Sequence, residues 1–330
     1  MSLLPHSPAL LVLPRLRVQN ANAISSPLTH GFPSMTAFMG FMWALERRLA
    51  GTEFAMGLQS VGVICHDFQE QVTAGDYVRR FCLTRNPVGK DGGTAAIVEE
   101  GRIHLELTLI FGVDGGFTHA DDARRQAIAD GIAAIVAGMR IAGGSVFPPS
   151  ARRRELRPCL HLLEPDAEAI GRQFRRLRRH WLPGFALVGR DDLPQQRIAK
   201  GMSPLDALLD LSRFNWRSHR SETLVEATGD TKVRIDWKHD RSEGWIVPIP
   251  VGFGALSNTF APGMIDNARD TSTEFRFVES LYSVGQWIGP HRLDHPGQLL
   301  WYADSRPDDG LYRCRNDYRP AAPAAAPTSA

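Results

Sequence analysis

The hydrophobic residues of the N-terminal segment follow two patterns in succession. From Ala9 to Leu13 they run without interruption, and from there to Val18 they alternate with arginine. An unbroken apolar run predicts a strand buried on both faces, and the change to alternation predicts that its far end emerges at a surface. Two further strands are predicted, over 57–68 and over 101–113, the latter with the most regular alternation in the chain.

Helical spacing replaces the alternation after Pro33. Ser34 is a suitable N-cap, and apolar residues then recur at intervals of three and four, which places them on one helix face. These residues are Phe38, Phe41, Met42, Leu45 and Leu49. Further helices are predicted over 121–139, 166–181 and 203–216, and further strands over 139–148 and 184–189. Residues 244–258, 274–288 and 298–303 complete the C-terminal part, and no element type is assigned to them.

The order of the elements before residue 150 predicts the core of the fold. Residues 77–93 are interpreted as a protruding hairpin because they end in the turn sequence Asp91-Gly92-Gly93. Without that insertion the order is β-α-β-β-α-β, which is the ferredoxin-like arrangement of RNA-recognition motifs. The predicted fold class is therefore α+β, with a ferredoxin-like (RRM-like) core and a thumb hairpin near residues 74–95.

The rest of the chain is less regular. We predict a first domain over 8–150 and an irregular α+β part over 151–316 that packs on it. Residues 217–243 are polar and are interpreted as a mobile or inserted segment. The Pro/Ala-rich residues 319–330 are predicted to be a disordered tail.

The composition of the chain excludes some classes of protein. Lys and Arg number 38 against 36 Asp and Glu, a net charge of +2. A generally polybasic nucleic-acid binder is thereby excluded, so any RNA contact must come from a local patch. The four cysteines include no C-x-x-C pair and are expected to be inert thiols. We expect a cytoplasmic protein without a membrane span, because no signal peptide and no run of roughly 20 apolar residues is visible.

The segment after the first strand, residues 19–27, is predicted to be a loop and is dense in uncharged hydrogen-bonding side chains. They are Gln19, Asn20, Asn22, Ser25 and Ser26. Amides can donate and accept along base edges and hydroxyls can reach phosphates, as recognition of single-stranded RNA requires. The alternative is a loop that satisfies its own backbone through Asx turns, and the residues alone favour that alternative.

Three other segments carry candidate binding residues. Arg85 and Asn86 lie on the predicted hairpin, where they could contact an RNA backbone or form an ordinary polar tip. Arg140 stands beside the pair Gly143-Gly144, which could approach a phosphate or form a strand bulge. The predicted helix over 166–181 places a set of arginines on one face, suited to phosphates or simply to solvent; they are Arg172, Arg175, Arg176 and Arg179.

Catalytic motifs are missing from the sequence. There is no G-x-S-x-G, no H-E-x-x-H and no carboxylate cluster with metal spacing. A metal-free ribonuclease would need a general base, often histidine. His30, His66, His104 and His291 stay open for that role, although no pattern selects them.

Long segments of the chain resemble one family, the second Csy subunit of type I-F CRISPR surveillance complexes. The segments are Leu13–Pro33, Leu83–Pro87, Gly93–Arg102, Met139–Ser145, Leu182–Val188, Gly244–Pro250, Asn267–Asp270, Arg276–Glu279, Gly289–Arg292 and Leu299–Tyr302. They span the chain from about residue 11 to about residue 313 and keep the family's order. Residues 217–243 and the C-terminal tail carry none of this resemblance.

The resemblance implies a RAMP-superfamily protein that binds RNA and is not an enzyme. It implies binding of the 5′ handle of the crRNA, a heterodimer with the large Csy subunit and contact with the adjacent backbone subunit. Target DNA would be met only indirectly through the complex, and no cofactor, metal or catalytic residue is expected. The residues expected at the RNA are Gln19, Asn20, Asn22, Ser25, Arg85, Asn86, Arg140, Gly144, Ser145, Arg269 and Arg292. Two alternatives stay open, a metal-independent endoribonuclease acting on CRISPR repeat RNA and a protein-only scaffold subunit.

Overall fold

Strands and helices of the computed structural model begin and end near the positions that the hydrophobic pattern predicts. The model describes residues 4–75, 78–85, 92–93, 97–148, 156–213, 216–224, 231–239, 244–268 and 270–320. The helices are α1 (Met35–Leu49), α2 (Asp122–Ala137), α3 (Ala167–Leu177), α4 (Asp192–Ile198) and α5 (Pro204–Ser212). The strands are β1 (Ala9–Asn22), β2 (Ile24–Ser26), β3 (Thr29–His30), β4 (Gly57–Glu70), β5 (Val72–Ala74), β6 (Arg79–Phe81), β7 (Leu83–Arg85), β8 (Ile97–Glu99), β9 (Arg102–Asp114), β10 (Arg140–Ile141), β11 (Gly144–Phe147), β12 (Cys159–Leu162), β13 (Phe185–Gly189), β14 (Trp216–Leu224), β15 (Thr231–His239), β16 (Trp245–Ala255), β17 (Val278–Ile288), β18 (Trp301–Ala303) and β19 (Leu311–Asn316).

One large sheet organises the described residues. Its strand order is β10-β11-β1-β9-β4-β13-β17-β16-β19-β18, with β12 paired alongside the start of β1. The pairings around β1, β9 and β4 are all antiparallel. Strand β18 also pairs with β4 through Trp301 and Val61, so the strands from β4 to β18 close into a ring. The fold is therefore α+β, as predicted, with a mostly antiparallel sheet that runs through both predicted parts of the chain.

The two faces of β1 explain its hydrophobic pattern. Leu11 and Leu13 point into the core shared with α1 and α2, whereas Leu10 and Val12 point into a second core. Both faces are fully covered there, as the unbroken apolar run predicts. Beyond Leu13 only one face stays covered, and Arg17 lies exposed on the other.

Helix α1 confirms the prediction made from the residues after Pro33. Its N-cap is Ser34, and all five of the residues predicted to lie on one face are buried. The caps Asp121 of α2 and Asp166 of α3 each accept a backbone N–H of the first turn. Carboxylate caps of this kind satisfy donors that the helix itself cannot pair.

One interpretation of the sequence is wrong. Residues 19–22 are the end of β1 rather than a loop, because they pair with β9 and β11, which lie far away in sequence. Residues 217–243, interpreted as a mobile or inserted segment, include most of a regular antiparallel hairpin of β14 and β15 over 216–224 and 231–239, which forms a two-stranded sheet of its own. Strands β12 and β19 and helix α4 were not predicted, because these segments are short and weakly patterned.

The thumb region consists of two short strand pairs that leave the sheet after β4. Strand β5 pairs with β6, and β7 pairs with β8. Residue 77 and residues 86–91 of the predicted hairpin lie outside the described part of the chain, as do the boundary near residue 150 and residues 321–330 of the tail. Among the helices that the structure describes, none is long and apolar enough to cross a membrane.

Candidate functional site

Polar residues from three separate segments meet on one face of the sheet, at the β1 edge. Gln19 pairs with Ser145 across β1 and β11, and Ser145 pairs with Arg140 across β11 and β10. Residues directly opposite each other in antiparallel strands project from the same face. All three are exposed, and Arg17 and Phe147 form the next exposed pair of the row. We call the exposed set the polar edge; its members are Arg17, Gln19, Asn20, Arg140, Ser145 and Phe147.

The hairpin of β10 and β11 brings Arg140 and Ser145 to β1 through a tight turn. Ala142 and Gly143 both have positive φ angles, 48° and 79°, as a two-residue hairpin turn requires. The carbonyl of Ala142 accepts the backbone N–H of Asn22 at 2.8 Å, which ties the turn to β1. The segment of the glycine pair, for which a strand bulge was one of two interpretations, is thus a hairpin turn.

Gly144 is the point of closest approach between β11 and β1. A Cβ there would lie 2.7 Å from both the backbone nitrogen of Ala21 and the carbonyl oxygen of Gln19. Gly144 is buried, so its visible role is strand packing. A contact between Gly144 and RNA stays a prediction.

Asn20 is presented outward by an irregularity in β1. The pairing of β1 with β9 shifts between Val18 and Ala21, and Asn20 has a φ of 56°. Its backbone N–H donates to Nδ1 of His104 at 3.1 Å. Within the described part of the chain, neither the Asn20 side chain nor that of Gln19 has a hydrogen-bond partner. Both amides are therefore available to a ligand.

Asn22 and Ser25 differ from Gln19 and Asn20, because their side chains bond to nearby groups. The Asn22 amide donates to the Ile24 carbonyl at 2.8 Å and accepts the Ile24 N–H at 3.0 Å. The Ser25 hydroxyl donates to the Thr29 carbonyl at 3.1 Å. Such local bonds are what the alternative interpretation predicts, in which the polar side chains satisfy their own backbone. A contact between RNA and Asn22 or Ser25 stays a prediction.

The positive charge of the polar edge comes from Arg17 and Arg140. Arg17 donates to the Pro148 carbonyl at 3.3 Å, and Arg140 is exposed. Arg15, in contrast, is neutralised by Glu106, with 2.9 Å between Nη1 and Oε1. The edge is thus a local basic patch of the kind that a net charge of +2 leaves possible.

A hydrogen-bonded chain beside Arg15 holds His66 in one tautomer. Nδ1 of His66 donates to the Pro183 carbonyl at 2.7 Å, and Nε2 lies 2.7 Å from the Thr108 hydroxyl. The same hydroxyl accepts the Arg15 backbone N–H at 3.1 Å. Burial lowers the pKa of His66 to about 4, so the ring is neutral at neutral pH. Both ring nitrogens are engaged, which leaves His66 a structural group.

The remaining predicted residues lie elsewhere. Arg85 ends strand β7, and nothing is described of its side chain; Asn86 and Arg269 lie outside the described residues. Arg292 is exposed at the end of a short 3-10 helix, Pro290–Arg292, which packs against the turn Arg178–Trp181. No described contact joins Arg292 to the polar edge, so its assignment to the RNA stays a prediction.

The basic face predicted for residues 166–181 is partly neutralised. Arg172 pairs with Glu168 one turn earlier in α3. Arg178 donates to the Leu293 carbonyl and pairs with Asp294. Arg175, Arg176 and Arg179 are exposed.

All four cysteines are free thiols. Burial raises the pKa of Cys65 and of Cys314 to about 12 and that of Cys159 to about 11, which keeps these thiols protonated. Among the described residues, no group of three or more His, Cys, Asp or Glu could hold a metal ion.

Sequence reasoning missed a pocket of about 330 Å³ at the base of the thumb region. Its lining comes from the turn before α1, the end of β4, and strands β13, β16 and β17. The aromatic members are Phe32, Phe68, Phe185, Trp245 and Trp287. These rings come from five distant positions, and the only local signal was the aromatic and proline-rich run over 245–250.

Two comparisons identify related proteins. A family model described as CRISPR-associated protein (Cas_Csy2) matches residues 11–314. The chain is 46% identical over 314 residues to the CRISPR-associated protein Csy2 of Pseudomonas aeruginosa (strain UCBPP-PA14). That alignment covers 92% of this chain and 94% of the relative.

Proposed function

Because this chain belongs to the Cas_Csy2 family of CRISPR-associated proteins, we propose that it is a non-catalytic RNA-binding subunit of a type I-F Csy surveillance complex. In this proposal it holds the 5′ handle of the crRNA in the cytoplasm. It pairs with the large Csy subunit, contacts the adjacent backbone subunit and serves antiviral defence. The observation that carries the RNA assignment is the convergence of Gln19, Ser145 and Arg140 in one exposed row.

The order of the strands around β1 supports an RRM-like, RAMP-type core. The sheet runs β11-β1-β9-β4, with α1 connecting β1 to β4 and α2 connecting β9 to β11. This is the strand order of a ferredoxin-like β-α-β-β-α-β unit. Both helices pack on the same face of the sheet, and the second core covers the opposite face around Leu10 and Val12. The part of the opposite face that is available for nucleotides is therefore the exposed end of β1.

The chemistry of the polar edge suits an unpaired RNA strand. The amides of Gln19 and Asn20 can donate to and accept from base edges. Arg17 and Arg140 can neutralise phosphates, and the ring of Phe147, 38% exposed, offers a surface for base stacking. None of these groups needs a metal ion or a titrating base to bind RNA.

A salt titration tests the RNA assignment. We expect the double variant Arg17→Ala/Arg140→Ala to bind a synthetic handle RNA about tenfold more weakly than the parent. The slope of log affinity against log salt should fall by about 1.4, since each phosphate contact to a single strand contributes about 0.7. Arg47→Ala/Arg48→Ala is the matched control, because it removes two exposed guanidinium groups from the last turn of α1, a surface with no predicted RNA contact. Equal slopes for the two double variants would place the RNA elsewhere.

An assay without metal tests the absence of catalysis. Incubation of the purified chain with repeat RNA and no divalent ion should leave the RNA intact. Site-specific cleavage would instead identify an endoribonuclease, and His104 would be the first residue to replace because it lies beside Asn20. Crosslinking of the assembled complex to its guide RNA distinguishes the RNA-binding subunit from the protein-only scaffold. The RNA-binding subunit should crosslink at the polar edge, and the scaffold should not.

A further inference from the structure

The pocket at the base of the thumb region arises where two strands part. Strand β13 pairs with β4 only at Ile64 and Cys65, whereas β4 continues to Glu70. Beyond Cys65, β4 still pairs with β9 but no longer with β13. The space between this part of β4, the segment His30–Met35 and strand β16 is the pocket of about 330 Å³. A cavity of this volume lies at the lower end of the range for small-molecule binding sites.

Aromatic rings form the walls of this pocket. Trp287 contacts Phe32 edge-on, with ring centroids 4.8 Å apart, and its centroid lies 6.1 Å from that of Trp245. The ring centroid of Phe185 lies 5.7 Å from that of Trp245. Trp245 and Phe185 are 45% and 48% exposed, so large apolar surfaces stay open to solvent.

The charge at the rim is negative. Asp67 and Glu70 are the charged carboxylates of the lining, and the residues described as lining the pocket include no lysine or arginine. Oε1 of Glu70 lies 2.9 Å from Nδ1 of His30, and Oδ1 of Asp67 accepts the Phe68 N–H. The remaining carboxylate oxygens can accept further hydrogen bonds. His66, also in the lining, is neutral.

We propose that this pocket binds an arginine side chain, with an adjoining apolar residue, from another protein subunit of the complex. The proposal rests on the proposed function, which places the chain in a multi-subunit assembly. A guanidinium stacks on an aromatic face and donates in parallel to carboxylates, which is the combination that Trp245, Asp67 and Glu70 offer. A nucleotide fits less well, because its phosphate would approach two carboxylates without a cation in the lining.

Two pocket variants and two matched controls test this assignment in the complex co-expressed with its guide RNA and other subunits. The pocket variants are Asp67→Asn/Glu70→Gln, which removes charge at nearly constant shape, and Trp245→Ala. The controls are Asp308→Asn/Asp309→Asn and Trp237→Ala, which remove two exposed acids and an exposed tryptophan elsewhere. We expect each pocket variant to weaken retention of one protein subunit about tenfold, and the controls to change it less than twofold.

Handle-RNA affinity, measured on the purified chain, separates this proposal from the proposed function. The pocket variants should bind handle RNA within twofold of the parent, whereas Arg17→Ala/Arg140→Ala should not. A pocket variant that retains every protein subunit but loses RNA would overturn the proposal and identify a nucleobase site. If polar-edge variants bind RNA normally while pocket variants lose a subunit, the function proposed for the edge fails and the pocket assignment stands.

A photocrosslinker identifies the occupant directly. Phe185 replaced by p-benzoylphenylalanine lies at the pocket wall, and Leu28 replaced in the same way serves as an exposed control outside the lining. We expect the Phe185 position to crosslink to a peptide of another subunit that contains arginine. A crosslink to RNA, or to a peptide without arginine, contradicts the assignment.

Discussion

Gly144→Ala is a sharp test of how the polar edge is built. The added methyl group would lie 2.7 Å from the Ala21 nitrogen and the Gln19 oxygen, and 2.8 Å from Cγ1 of Val18. Two of these three atoms belong to the backbone of β1, so the clash cannot be relieved by a rotamer change. Strand β11 must move away from β1 instead.

The expected cost follows from two contributions. Overpacking of a well-packed site costs about 1–3 kcal/mol. Movement of β11 also weakens the bond from the Asn22 N–H to the Ala142 carbonyl, which contributes about 1 kcal/mol. We therefore expect Gly144→Ala to lower the free energy of unfolding by about 2–4 kcal/mol. Urea unfolding followed by circular dichroism measures this difference.

Two other glycines supply the controls. Gly40 lies within α1 with no atom near its added Cβ, so Gly40→Ala should stabilise the protein by about 0.5–1 kcal/mol. Gly143 also has open space but a φ of 79°, so Gly143→Ala should cost about 1 kcal/mol through backbone strain alone. If Gly144→Ala lowers the free energy of unfolding no more than Gly143→Ala does, the close approach of β11 to β1 does not determine the stability of the polar edge. Handle-RNA affinity should fall with Gly144→Ala and stay unchanged with Gly40→Ala.

Three further changes test other parts of the structure. The pKa of His66 is about 4 in the folded protein and 6.5 in the unfolded chain, so its titration does not change the stability above pH 6.5. As the pH falls from 6.5 toward 4, the unfolded chain binds the proton first and is stabilised. At pH 5 the free energy of unfolding should therefore be about 2 kcal/mol lower because of His66. Urea unfolding at pH 7 and pH 5 measures this loss, which should be smaller in His66→Gln; an equal loss in both proteins would assign it to other groups. Leu13→Ala, at a fully buried position of β1, should cost about 2–5 kcal/mol in the same assay, against less than about 0.5 kcal/mol for the exposed Leu28→Ala. Cys65 and Cys314 should resist iodoacetamide in the folded protein at pH 8 and react after unfolding, since burial raises both thiol pKa values to about 12; rapid labelling of the native chain, mapped by mass spectrometry, would contradict their burial.

Local patterns were sufficient to predict the long, regular elements of the N-terminal part. The run from Ala9 to Leu13 and the alternation up to Val18 placed β1 and its emergence at a surface. The three- and four-residue spacing after Ser34 placed α1 and its buried face. Such predictions succeed because side-chain periodicity in a helix or a strand depends on neighbours along the chain.

Gln19 and Asn20 show what local patterns miss. Their polar sequence predicts a loop, yet they extend β1, because β11 supplies hydrogen bonds from residues 144–147. Which strand pairs with which, and in which register, depends on contacts over more than a hundred residues. A one-residue change of register would move every side chain of the row to the other face.

The sequence alone therefore determined the α+β class, the main strands and helices, the family and the candidate residues near 19–22 and 140–145. Only the tertiary structure decided that Arg140, Ser145 and Gln19 form one row, that the Asn22 and Ser25 side chains bond locally, and that five distant aromatic residues line a pocket. The physical reason is that periodicity records whether a side chain is buried, whereas the identity of its neighbours depends on how the strands pair.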